Sequence, residues 1–342
     1  MPGVASKAKE LVNAWSVRIG DCVQSLVWSP DGRFLAAASI SGPIHVLDAG
    51  TGLEMVTLPG HRFGTTSLSW RIGSDTIASS GQDGKVRLWD LNRPSECLAL
   101  DGGAEWVEHV RWSPSGKYLA SAAARTLRMW NPAGDLLSEY PAHSSTIADL
   151  AWKPGTDELT SASYGNVQFW SPQQAEPLKK FEWKGSMLSV AWSPDGKALA
   201  TGNQDSTVHF WFVSTGKDLQ MWGYPAKIRE LAWDAKSRYL ATGGSSTVIV
   251  WDCSGKGPAN TKPLMLQFHD KLISQLRFQA KGPLLASGCG SGIVALWHVG
   301  KKDQAVAAIW MDSPVSQLAW SPGDRFLAVG DESGSVRLFH SL

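Results

Sequence analysis

Three side chains in this 342-residue chain could donate to a metal ion from equivalent places: His109, Asp149 and Glu230 each stand three residues before a recurring aromatic. The same place is filled elsewhere by Ser25, Ser67, Ser189, Gln275 and Gln317, and Glu105 and Glu108 lie close to His109 in sequence. Imidazole and carboxylate groups hold zinc and related ions when three or four of them converge. A series of polar residues at one repeated position is more simply a hydrated lining, so no metal and no cofactor are expected. No catalytic residue is assigned either: the chain has no phosphate-cradling G-x-x-x-x-G-K-[ST], no H-E-x-x-H and no G-x-S-x-G between a strand and a helix. The glycine-rich run 288–292 contains Cys289 and Ser291, but no helix follows it to hold an anion, so it reads as a β-turn.

The elements that position these residues are read from the tryptophans. Of 18, seven recur at intervals of 40 to 45 residues as Trp28, Trp70, Trp112, Trp152, Trp192, Trp233 and Trp320, with Phe278 filling the gap. A second series follows as Leu47, Trp89, Trp130, Trp170, Trp211, Trp251, Trp297 and Phe339. The best-kept form of the stretch after the first series is Ser-Pro-Asp-Gly, as after Trp28 and Trp192, in which Pro presets one corner of a turn, Asp bonds its own backbone and Gly takes positive φ. Alternating β-branched and aromatic residues flank it, so strands carry the repeat. The count is eight copies of a unit with four short strands.

These residues, with His61 and the run Gln82 to Asp90, resemble the WD-repeat family of β-propellers over nearly the whole chain. The resemblance implies an all-β fold, a single eight-bladed β-propeller of four-stranded antiparallel blades. The ring is expected to close through an N-terminal strand, residues 11–18, joining the last blade. Blades are expected near 22–60, 64–102, 106–141, 146–183, 187–223, 227–268, 272–310 and 314–340, after a flexible N-terminus at 1–10. A four-stranded sheet has two apolar faces and can bury them only against neighbours. The family's structural relay of His, Ser or Thr, Asp and Trp matches His61, Ser79, Asp83 and Trp89. Elsewhere the set is incomplete, and apolar packing is expected to replace it in copies one, three, six and eight.

Function is read from the loops on one rim. Partner-binding candidates there are Arg62, Phe63, Gln82, Glu105, Trp106, Tyr164, Lys184, Gln204, Tyr224, Lys227, Asp270, Lys271, Asp312 and Glu332. Aromatics and Arg among charges of both signs are what protein interfaces enrich. The expectation is a non-enzymatic scaffold, a monomeric platform for a protein partner. With 32 Lys+Arg against 31 Asp+Glu, there is no basic excess to attract nucleic acid or an anionic membrane. No apolar run is long enough to span a bilayer or form a signal peptide, which points to the cytoplasm. Segments such as 202–211 and 220–225 are similar to a bacterial WD-repeat subgroup often encoded beside CobW-type metal-trafficking GTPases, which implies metal trafficking as an alternative. Residues 47–52 and 214–217 are similar to pieces of the tryptophan-docking repeat of eight-bladed quinoprotein enzymes, but neither continues to a tryptophan at the required distance, Met55 and Gln220 standing near there.

Overall fold

The computed structural model describes residues 8–342, and every regular element among them is a β-strand. Among the described residues no helix is long and apolar enough to cross a membrane. The chain divides into two compact units, Asp21–Val190 and the remainder, Ala191–Leu342 with the residues up to Gly20.

Local chemistry sets the strands and their turns. The strand Val23–Trp28 pairs antiparallel with Phe34–Ser39. Between them Ser29 Oγ donates to Asp31 Oδ1 at 2.7 Å, the Gly32 N–H donates to the Ser29 carbonyl at 2.9 Å, and Gly32 has φ +73°. Ser193, Asp195 and Gly196 repeat that arrangement in the other unit. The strand Lys85–Asp90 alternates half-buried and buried residues, as a strand between two others does when its faces are packed.

In Asp21–Val190, the first sheet runs through Val23–Trp28, Phe34–Ser39, Ile44–Asp48 and Glu54–Leu58, and the second through Thr65–Trp70, Thr76–Gly81, Lys85–Asp90 and Cys97–Asp101. Apolar clusters lie between consecutive sheets. One joins Ala36, Val46 and Leu58 of the first to Leu68, Trp70, Ile77 and Trp89 of the second. Another joins Val86, Leu88 and Leu100 to Val110, Trp112 and Trp130 of a third sheet, made of His109–Trp112, Leu119–Ala123, Thr126–Trp130 and Leu136–Glu139. Each large side chain buried this way contributes roughly 1.5–3 kcal/mol, and no single sheet could bury it.

Two expectations about architecture are corrected. Counted as hydrogen-bonded sheets, the blades number seven and not eight: five four-stranded, one five-stranded and one six-stranded. The six-stranded sheet takes up two copies of the sequence repeat, because the strands Leu159–Trp170 and Lys179–Trp192 run on where other copies turn or loop. The local sequence permits this pairing. At 164–165 only Tyr-Gly stands where copy two has the longer Gly-Gln-Asp-Gly turn, and at 183–186 the run Trp-Lys-Gly-Ser has none of the loop that carries His61. Tyr164 consequently pairs across to Ser186. The second correction concerns the N-terminus. Residues 1–7 lie outside the described residues, but Lys9–Glu10, expected to be flexible, forms a parallel pair with Ala307 and Ala308.

The strand Asn13–Arg18 pairs antiparallel with Ser335–His340, and Leu11 joins the apolar cluster of the last two sheets. Deleting residues 1–18 would expose that strand edge and the cluster. Differential scanning calorimetry should show the melting temperature lowered by roughly 5 °C or more; an unchanged melting curve would contradict this role.

Candidate protein-binding surface

A buried hydrogen-bond chain underlies the loops of the second sheet. His61 Nε2 lies 2.7 Å from Ser79 Oγ, His61 Nδ1 lies 2.8 Å from Asp83 Oδ1, and Trp89 Nε1 donates to Ser79 Oγ at 2.8 Å. All four members of the expected relay are therefore together. Sequence reasoning missed a fifth: the Arg87 guanidinium donates to Asp83 Oδ2 at 2.7 Å and adjoins His61. Burial lowers the His61 pKa, while Asp83 pulls it partly back. Burial alone would raise the Asp83 carboxyl, yet hydrogen bonds from His61 and Arg87 hold it below its usual value.

The relay fixes three loops against one another. Gln82 N–H donates to Gly64 O at 3.0 Å, Gly102 N–H to Gly84 O at 2.9 Å and Val107 N–H to Gly81 O at 3.1 Å. Thr66 Oγ1 donates to Val107 O at 2.6 Å. Gly84 is required there, since it has φ +72° and a Cβ would meet the Ala104 carbonyl oxygen at 2.8 Å. On this framework stand Phe63, 75% exposed, and Trp106, 55% exposed. Phe63 also has φ +67°, a left-handed conformation that costs a non-glycine residue about 1–2 kcal/mol. The Arg62 guanidinium sits 5.7 Å from the Phe63 ring centroid, and the Arg62 N–H donates to Asp83 Oδ2 at 3.2 Å. Arg62 and Glu105 are exposed and Gln82 is half-buried.

The other candidates divide. Tyr164 and Lys184 are exposed but lie within strands, not in loops, for the reason given above. In the second unit Gln204, Lys227, Asp270, Lys271, Asp312 and Glu332 are exposed; Asp270 accepts from Ser291 Oγ, and Asp312 pairs with Arg337. Tyr224 is not a surface anchor. It is buried, its hydroxyl lies 2.8 Å from Thr242 Oγ1 and accepts from Trp251 Nε1 at 2.7 Å, and burial pushes its phenol up to about 12. Tyr224 thus occupies the histidine's place in a relay of its own, which corrects the expectation of apolar packing in copy six.

Copy three likewise keeps a polar contact, Trp130 Nε1 donating to Ser121 Oγ at 2.9 Å, although Gly103 replaces histidine. Copies one and eight carry the buried apolar residues Ala37 and Leu47, and Met311, Val329 and Phe339. The signal for a polar relay was a serine or threonine ten residues before the second-series tryptophan, or nine in copies with the shorter turn, more than the histidine itself.

The candidate metal ligands do not gather. Among the described residues no group of three or more His, Cys, Asp or Glu side chains could hold a metal ion. His109 is half-buried with its pKa lowered by burial despite Asp149 nearby, and burial raises the Glu230 carboxyl.

The sheets, turns and relays define a WD40 fold. The family described as WD domain, G-beta repeat matches residues 52–90, 95–131, 134–171, 175–211, 216–252, 261–298 and 310–340, and the Anaphase-promoting complex subunit 4 WD40 domain matches residues 9–70. The chain belongs to the WD40 repeat family. It is similar to the B-type cell cycle switch protein ccs52A of Medicago truncatula, 24% identical over 54% of this chain and 40% of that protein. It is 26% identical to the serine-threonine kinase receptor-associated protein of Rattus norvegicus over 51% of this chain and 50% of that one. With cell division cycle 20.6, cofactor of APC complex, of Arabidopsis thaliana, identity is 28% over 52% of this chain and 44% of that one. The chain spans about half the length of the curated relatives it matches or less. A solved structure, the computationally designed Ika8 protein, superposes with TM-score 0.82 at 22% identity over 98% of this chain and 100% of that chain, a likeness of fold alone.

Proposed function

We propose that this chain is a non-catalytic platform that binds a segment of a partner protein on the loops carrying Phe63 and Trp106, with Arg62 and Glu105 fixing its register. The observation that carries this reading is the pair of exposed aromatics on loops rigidly held by backbone hydrogen bonds and the His61 relay. Broad rings on a rigid support bury area at little entropic cost. A strained, exposed Phe63 has no packing reason to be there. The relatives' names agree with such a role, one being a cofactor of a complex and another receptor-associated.

Trp106→Ala tests the reading. An anchoring aromatic contributes about 2 kcal/mol or more, so partner affinity should fall roughly 30-fold or more. The partner is identified by affinity capture and mass spectrometry, then its binding is measured with purified components. Circular dichroism and the melting curve should stay unchanged, because Trp106 is exposed. Equal affinity of the variant would refute the proposed surface.

A further inference from the structure

A cleft of about 490 Å³ in the second unit is lined by four basic side chains and one carboxylate. The basic ones are Lys236, Arg238, Lys281 and Lys301, and Tyr239, Phe278 and His298 line it with them. The lining carboxylate, Asp234, accepts from the backbone N–H groups of Arg238 at 2.6 Å and Tyr239 at 2.7 Å, and beside the cleft Asp324 accepts from those of Lys281 at 2.7 Å and Gly282 at 2.9 Å. None of the three lysines forms an ion pair among the described residues. Arg238 gives Nε and Nη2 to Asp252, at 3.1 and 2.8 Å, and Nη1 has no hydrogen bond there. The Arg238 guanidinium lies 4.8 Å from the Tyr239 ring centroid, which fixes its plane. The buried His298 Nδ1 has no hydrogen-bond partner.

The internal repeat supplies a control. The equivalent cleft in the first unit is lined by Asp31, Arg33 and Asp75, and there Arg33 pairs with both carboxylates. Counting from the tryptophans, Lys236 stands in the place of Asp31, Lys281 in that of Gly73, Pro283 in that of Asp75 and His298 in that of Asp90. Acidic or neutral residues have thus become basic or neutral at four corresponding places and the arginine is kept, while one place changes the other way, Asp234 standing in that of Ser29. One cation against two carboxylates in the first cleft has become four cations against one in the second.

We propose that this cleft binds a phosphate monoester dianion. A dianion with three terminal oxygens can be shared by several cations, and a guanidinium edge suits phosphate geometry. The monoester could be a phosphorylated side chain of a partner or a free metabolite. The site shares no residue with the Phe63 and Trp106 surface, so Trp106→Ala should leave it intact and the two readings fail separately.

The test is titration calorimetry at constant ionic strength with inorganic phosphate, O-phosphoserine, adenosine 5′-monophosphate and succinate, on wild type and Lys236→Ala/Lys281→Ala. At least one monoester should bind saturably with Kd below about 1 mM, more tightly than succinate. The double variant should weaken it at least tenfold without changing the melting curve, since both lysines are exposed. Tighter binding of O-phosphoserine assigns a phosphorylated side chain, and tighter binding of the nucleotide assigns a metabolite. No saturable monoester binding, equal affinity for succinate, or undiminished affinity in the double variant would each overturn the proposal.

Discussion

Ser79→Ala is expected to destabilise the protein by about 3 kcal/mol. The Ser79 hydroxyl is fully buried and joins His61 Nε2 to Trp89 Nε1, at 2.7 and 2.8 Å. Its removal orphans two buried polar groups, each costing about 1–3 kcal/mol. It also frees the imidazole that, with Asp83, positions the loop bearing Phe63. Ser121→Ala in copy three provides the comparison: it orphans Trp130 Nε1 without any histidine, so about half the loss is expected. Urea unfolding of both variants measures the difference. Equal losses would show that the histidine arm of the relay carries no stability.

Acidification should destabilise the protein well above the pH at which carboxylates protonate. His143 and His269 are buried and bond Ser161 and Ser287 through Nε2 at 2.7 Å, and their Nδ1 atoms have no hydrogen-bond partner. Burial lowers both to about 4 from an ordinary 6.5; backbone bonding at His143 and the charge of Asp270 at His269 offset this only in part. Between those values the unfolded chain takes up a proton that the folded chain refuses, so stability is full above 6.5 and is lost as pH falls towards 4. Each histidine accounts for roughly 3 kcal/mol across that window. Denaturant unfolding of wild type and His269→Gln at pH 7 and pH 4 isolates one of them. The variant's deficit at pH 7 should shrink by about that amount at pH 4; a constant deficit would mean that His269 does not titrate in this range. His61 differs because Asp83 accepts from its Nδ1 and partly restores its pKa, so copy two should be the least acid-sensitive of the three.

Trp28, Trp70 and their successors made the strand repeat legible, because an aromatic recurring at a fixed interval before a short turn states its own local structure. His61, Ser79, Asp83 and Trp89 were legible as a set for the same reason, each standing at a fixed offset within one copy. Tyr224 was not, since an aromatic at a loop position can point into water or, as here, put its hydroxyl on a buried threonine. Arg87 went unnoticed because a charge on a strand looks solvated until its neighbours across the sheets are known.

The sequence by itself determined the strands, their turns, the repeat and the WD40 family, all of which depend on residues within one copy of about 41. Tertiary structure alone decided which copies share a sheet, since the continuity of Lys179–Trp192 depends on Tyr164 meeting Ser186 across two strands. It alone decided that Tyr224 is internal, that Phe63 and Trp106 stand on loops bonded together, and that Lys236, Lys281 and Lys301 from three separate turns face one cleft. The physical reason is that burial and net local charge are sums over neighbours distant in the chain, and a periodic sequence says what each copy can form but not what surrounds it.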